Sequence, residues 1–172
     1  MGHHLLKGKK GIITGALDDK SIAWKTALRC HEEGAEFILT NAPVALRLGA
    51  VKELAQQTGA DLVPADATKV DELNALFEAA EAKFGKVDFI LHSIGMSPNV
   101  RKGRVYTDLN YDWLNQTYDV SAISFHKMMH VAYTRDSMRE WGSIVALTYM
   151  AAQRVFPKYS DMSDAKALLE SY

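Results

Sequence analysis

Gly11-Ile12-Ile13-Thr14-Gly15, then Ala16-Leu17-Asp18-Asp19-Lys20, then Ser21-Ile22-Ala23: on this stretch the reading of the fold turns. Residues 11–14 read as a strand, Gly15 permits a tight turn, and Ser21 is placed to cap a helix over 22–31. The alternation repeats outward along the chain. Strands are expected over 36–40, 61–65, 87–92 and 143–148. Helices are expected over 44–57 (closed by Gly59), from a capping box at Thr68-Lys69-Val70-Asp71 to 84, over 111–139, and from near Tyr159 onward. Pro64 suggests an edge position for the third strand. Five strands alternating with helices imply parallel pairing through right-handed crossovers, and near-continuous apolar strands imply a sheet covered on both faces. The expected fold class is α/β, a doubly wound parallel sheet forming one domain over 1–172.

The chain has 172 residues, 48% hydrophobic and 24% charged, which suits a folded domain rather than a disordered chain. Twenty Lys+Arg against 21 Asp+Glu leave a net charge of −1, so the basic excess of a nucleic-acid binder is absent. No apolar run approaches the roughly 20 residues of a membrane span. The opening MGHHLLKGKKG has no sustained apolar core and does not read as a signal peptide. A lone Cys30 can form no internal disulfide, which fits a reducing cytoplasm.

In a dinucleotide-binding (Rossmann-like) fold, the first strand-to-helix turn offers backbone N–H groups to a pyrophosphate. Gly15 suits such a turn, and small Ser21 and Ala23 stand where a common fingerprint has glycines. Gly11 and Gly15 alone do not satisfy G-x-G-x-x-G, so a plain turn is an equal reading of this segment. Asp66, just after the third strand, can accept a hydrogen bond from an adenine amino group or serve as a helix cap. Ser93-Ile94-Gly95, after the fourth strand, can pass close to a ribose or nicotinamide or simply turn the chain.

Tyr159 and Lys166 lie nearly two helical turns apart, which puts both on one helix face. A lysine ammonium near a phenol is expected to lower the phenol's pKa, making Tyr159 a proton donor toward a developing oxyanion. Tyr149, at the end of the fifth strand, points toward the same cleft.

With these residues in view the sequence resembles the enoyl-acyl-carrier-protein reductases of the short-chain dehydrogenase/reductase superfamily. The matching runs are Leu5 through Gly15, Ser21-Ile22-Ala23-Trp24, Leu91-His92-Ser93-Ile94-Gly95, and Leu147 through Arg154. Tyr159 precedes Lys166 by the long spacing of this branch, and Met162 stands where the ordinary superfamily tyrosine would be. The resemblance implies hydride transfer from a nicotinamide cofactor to the β-carbon of a trans-2-enoyl thioester carried on acyl carrier protein. It implies catalytic roles for Tyr149, Tyr159 and Lys166. Gly15, Ser21, Ile22, Asp66, Ala67, Ser93, Ile94, Gly95 and Lys166 would bind cofactor, and Ser97 would lie near substrate. It also implies a homotetramer built through the long fourth helix and the last helix.

The second strand ends in Thr40-Asn41-Ala42-Pro43, without an acidic residue for a ribose 2′-hydroxyl, which leaves NADH and NADPH both open. Arg47 can approach a 2′-phosphate, although a solvated helix arginine is the stronger reading. The resemblance points to NADH. Family members continue past the last helix with two more strands and a substrate-binding segment, so it also implies that the chain is incomplete at its C-terminus. Two alternatives stay open: a carbonyl-reducing short-chain dehydrogenase, disfavoured by Met162, and a non-catalytic cofactor-binding fragment. The basic loop 99–104 reads as solvated. His126 and His130 lack companions for a metal site, and none is expected.

Overall fold

The computed structural model describes residues 2–48 and 50–172. In chain order its elements are β1 (Lys10–Thr14), α1 (Ile22–Glu32), β2 (Glu36–Thr40), α2 (Pro43–Leu48), α3 (Val51–Thr58), β3 (Asp61–Leu62), α4 (Val70–Phe84), β4 (Val87–His92), α5 (Pro98–Arg101), α6 (Tyr111–Tyr118), α7 (Ser124–Thr134), β5 (Met138–Ala146) and α8 (Asp161–Glu170). A π-helical segment, Asp119–Ile123, joins α6 to α7. The strands form one parallel sheet in the order β3-β2-β1-β4-β5.

The strand side chains divide the core into two layers. Ile12 pairs in register with Ile38 and Ile90, and all three face Leu73, Leu76 and Phe77 of α4 and Met128 and Val131 of α7. Its neighbour Ile13 points to the other face, where Leu39 and Leu91 meet Trp24 of α1 and Leu54 of α3. Each such fully buried isoleucine or leucine contributes roughly 1.5–3 kcal/mol, which is why these strands read as continuous apolar runs. Among the described residues no helix is long and apolar enough to cross a membrane.

Several expected boundaries move. The helix expected over 44–57 is two helices, α2 and α3, and Gly49 between them lies outside the described residues. Gly59 closes α3 in the left-handed conformation, as expected. β3 is confined to Asp61–Leu62, although Val63 and Ala65 still donate to Leu39 and Asn41, an alternation that turns the Pro64 nitrogen to the side away from β2. It does lie at a sheet edge.

The box at Thr68–Asp71 does not form. Instead Asp66 Oδ1 accepts the Thr68 N–H (3.0 Å) and hydroxyl (2.8 Å), while Glu72 accepts the Asp66 N–H (2.7 Å). The long helix ends at Thr134, not 139. Arg135 makes a two-pronged pair with Glu81 of α4, Ser137 donates to the same carboxylate at 2.6 Å, and Asp136 turns the chain with φ 51°. β5 therefore starts early, at Met138, and carries extra residues between its pairings with Val87 and Phe89.

Candidate active site

The residues singled out in the sequence gather beyond the carboxyl ends of the strands, the usual ligand side of such sheets. The first turn is fixed by close backbone approach. Gly15 has φ 85° and donates its N–H to Thr40 O (3.1 Å). A Cβ built on it would fall inside the carbonyl of Ser93. Ser93 in turn donates its N–H to Thr14 Oγ1 at 3.2 Å, so the ends of β1 and β4 touch.

Ser21 does occupy the N-cap of α1, but its hydroxyl turns back, donating to Asp18 O (2.8 Å) and accepting the Leu17 N–H (3.3 Å). The first amides of α1 thus have no side-chain cap, and no acidic residue lies in that turn. This leaves an electropositive helix end beside exposed Ile22, suited to an anion. Asn41, noted in the sequence only for not being acidic, locks the turn from β2: its Nδ2 donates to Ala16 O (2.9 Å) and its Oδ1 accepts the Ala42 N–H (2.8 Å). Arg47 spends its Nε on Pro43 O within α2 (3.4 Å). Asp66 is half-buried and commits one oxygen to Thr68, and Ala67 is buried in the core beside it.

The second half of the group lies at β4, β5 and α8. Lys166 is 6% exposed, and its Nζ donates to Leu147 O (2.7 Å) and Ile94 O (3.4 Å). Burial pushes the ammonium's pKa below the ordinary lysine value. Gly95 lies against it, its built Cβ position 3.6 Å from Nζ. Ile94, Gly95, Leu147 and Lys166 therefore meet at one point.

Tyr159 and Tyr149 pack with ring centroids 4.9 Å apart at 53°, and Phe156 backs Tyr149 at 5.3 Å. Two expectations need correction here. Tyr159 is not on the helix, since α8 begins at Asp161; it sits in the preceding turn, flanked by Lys158 (φ 67°) and Ser160 (φ 48°). Such non-glycine backbone costs about 1–3 kcal/mol per residue and persists only where the surroundings hold it. Nor is the phenol's pKa lowered. Burial, then the neighbouring Tyr149, pushes it up, while the Lys166 ammonium is tied to backbone carbonyls. A raised pKa keeps the phenol protonated at neutral pH, which suits a donor to an oxyanion.

Ser97 departs furthest from expectation. Its side chain is buried, donating to Asp161 Oδ1 (2.6 Å) and accepting the Val100 N–H (3.0 Å) as the cap of α5, so its hydroxyl is turned away from any cleft. A cavity of about 560 Å³ near α8 is bounded by Tyr106, Val155, Phe156 and Asp164 and does not include Tyr149, Tyr159 or Lys166.

Sequence reasoning passed over His92, which ends β4 fully buried. Ser124 gives its single proton to Val120 O (2.7 Å), so it accepts from His92 Nε2 (2.8 Å), and Nδ1 has no partner among the described residues. Burial first, then the Lys166 charge, lowers the imidazole pKa from 6.5 to about 4. The unfolded chain thus binds the extra proton. His92 stabilises the fold fully above pH 6.5, and that contribution is lost as pH falls toward 4, by roughly 3 kcal/mol. Urea unfolding across that window should show this slope, flattened in His92→Gln; equal slopes in both proteins would refute it.

Comparison with known proteins fits this geometry. The sequence model of the family described as enoyl-(acyl carrier protein) reductase matches residues 15–172. The chain belongs to that family. A Rhizobium meliloti enoyl-[acyl-carrier-protein] reductase [NADH] is 39% identical over 97% of this chain and 61% of its own length. Among solved structures, FabI from Alistipes finegoldii superposes with a TM-score of 0.96 at 58% identity, covering 99% of this chain and 66% of that one. The FabI–NADH complex from the same organism gives 0.96 at 59% identity, covering 98% of this chain and 60% of that one. The chain thus spans about three fifths to two thirds of the length of these relatives. Within the family the parallel Rossmann-like sheet is the shared architecture.

Proposed function

We propose that the chain, as a single domain over 1–172, carries the cofactor-binding and catalytic residues of an NADH-dependent enoyl-acyl-carrier-protein reductase of fatty-acid elongation. The observation that carries the reading is the convergence of Lys166 with Ile94, Gly95 and Leu147, with the Tyr149–Tyr159 ring pair on the segments that follow β5 and precede α8. The residues present fit a dinucleotide: Gly15 lets a ligand approach the backbone, the first turn of α1 is uncapped and free of acidic side chains, and Lys166 offers an ammonium at the far end.

When bound, the nicotinamide supplies hydride to the β-carbon of a trans-2-enoyl thioester. Gly15, Ser21 and Ile22 hold the pyrophosphate end. Asp66 and Ala67 meet the adenine, with the second Asp66 oxygen available to its amino group. Ser93, Ile94 and Gly95 line the ribose, and Lys166 binds its hydroxyls. As the substrate's thioester oxygen gains negative charge, the protonated Tyr159 phenol donates a hydrogen bond or its proton to it. Tyr149 shapes the acyl side. Ser97 acts through its buried position rather than by direct contact.

NADH rather than NADPH is favoured by the cofactor named for the Rhizobium relative and bound in the Alistipes complex. The enzyme would work in the cytoplasm as a homotetramer, packing through α6, α7 and α8, on enoyl groups carried by acyl carrier protein.

The test follows NADH and NADPH oxidation with a crotonyl thioester, preceded by titration of the chain with NADH read by nicotinamide fluorescence. Saturable NADH binding and turnover with NADH are expected; failure to bind either nucleotide would overturn the reading.

A further inference from the structure

Asp161, the first residue of α8, is 0% exposed, yet it carries a carboxylate. Its Oδ1 accepts the Ser97 hydroxyl at 2.6 Å and its Oδ2 accepts the Asn99 amide at 2.8 Å, while the Thr117 hydroxyl, 2.9 Å from Oδ2, shares its single proton between that oxygen and Trp113 O at 2.7 Å. These donors come from the loop after β4, from α5 and from α6. The surroundings are closed further: Asn99 donates to Asn110 O (3.1 Å) and accepts the Asn110 N–H (3.0 Å), and Ser97 caps α5. A buried carboxylate is tolerated only when donors replace its water, and this one has two full donors, Ser97 and Asn99, and a share of the Thr117 hydroxyl.

The chain on either side of Asp161 leads to the site. Ser160 links it to Tyr159 through a strained backbone of φ 48° and ψ −136°, and the Ser160 hydroxyl is itself buried without a partner among the described residues. Nothing in that side chain's own contacts holds its backbone, so the hold must come from its neighbours. On the other side α8 carries Lys166 to the carbonyls of Ile94 and Leu147.

We propose that Asp161 is a positioning residue. The grip of Ser97, Asn99 and Thr117 on its carboxylate fixes the start of α8, and so holds Tyr159 against Tyr149 and Lys166 against the ends of β4 and β5. The assignment rests on the reductase reading in treating Tyr159 and Lys166 as site residues.

Three variants test it. Thr117→Val removes the hydroxyl shared with Trp113 O at constant shape, Thr117→Ser retains it, and Asp161→Asn, which leaves the Trp113 contact in place, sets an amide against donors. The readouts are the aromatic NMR signals of Tyr149 and Tyr159, assigned with the single Phe variants, and NADH affinity by fluorescence. Thr117→Val and Asp161→Asn should both displace the paired ring signals and weaken NADH binding roughly tenfold, with Thr117→Ser behaving as the parent. If Thr117→Val lowers the melting temperature but leaves ring signals and affinity unchanged, Asp161 is only a structural tie and the proposal is overturned. Should Asp161→Asn fail to fold, Thr117→Val decides. Should the parent chain bind no NADH, the reductase reading falls, and the ring signals alone decide the positioning role.

Discussion

Gly15→Ala should destabilise the chain by roughly 3–5 kcal/mol, a large share of the ~5–15 kcal/mol that holds a domain together. Two independent penalties act there. The backbone has φ 85°, where an L side chain is strained, and the added methyl would enter the Ser93 carbonyl, which belongs to backbone and cannot swing aside. To make room, the ends of β1 and β4 would have to part, breaking the Ser93 N–H bond to Thr14. Gly59→Ala supplies the control: φ is 64° there too, but nothing lies within 4 Å of its built Cβ. Only the backbone penalty remains, about 1–2 kcal/mol. Urea midpoints of the two variants should therefore differ clearly. Similar midpoints would show that the β1 turn can relax away from Ser93.

The second large effect concerns turnover. Tyr159→Phe keeps the ring that packs on Tyr149 and removes only the hydroxyl, so NADH affinity should hold while kcat falls by ~10²–10⁴. Lys166→Met should behave differently. It removes the ammonium bound to the Leu147 and Ile94 carbonyls, so NADH affinity itself should drop, and kcat/KM with it. A kcat in Tyr159→Phe within twofold of the parent would remove the phenol from the proton-donor role. Equal NADH affinity in Lys166→Met and the parent would remove the lysine from the cofactor.

How far these assignments could be made from the sequence depended on the range of the forces behind them. The central strands were readable because burial on both faces leaves nearly uninterrupted apolar runs, as at Ile12-Ile13 and Ile38-Leu39. The end of α7 was not, because no glycine or proline marks it. The stop is set by Glu81, which reaches Arg135 and Ser137 from 54 and 56 residues away. The early start of β5 was hidden for the same reason.

At the site, the long Tyr159–Lys166 spacing was read with the wrong geometry. A shared helix face was inferred, whereas a strained turn carries the tyrosine and a separate helix the lysine. Ile94, Gly95, Leu147 and Lys166 do converge, while Ser93 lies against Gly15 and Thr14. The carboxylate at Asp161 gave no sequence signal, since its partners lie 44 to 64 residues away and no local pattern links them.

The strand order has a consequence for how the chain assembles. β1 meets both its neighbours, but Lys10 reaches Glu36 on β2 across 26 residues and Asp88 on β4 across 78. Closing the longer loop costs about 1 kcal/mol more chain entropy than closing the shorter one. Gly15 follows β1 and Ser93 follows β4, so the two halves of the cradle meet only through that longer closure. A dinucleotide bound as proposed would span both halves, would bind only the closed arrangement, and by mass action would stabilise the β1–β4 seam. Ligand affinity and folding stability would thus be linked through one pair of strands.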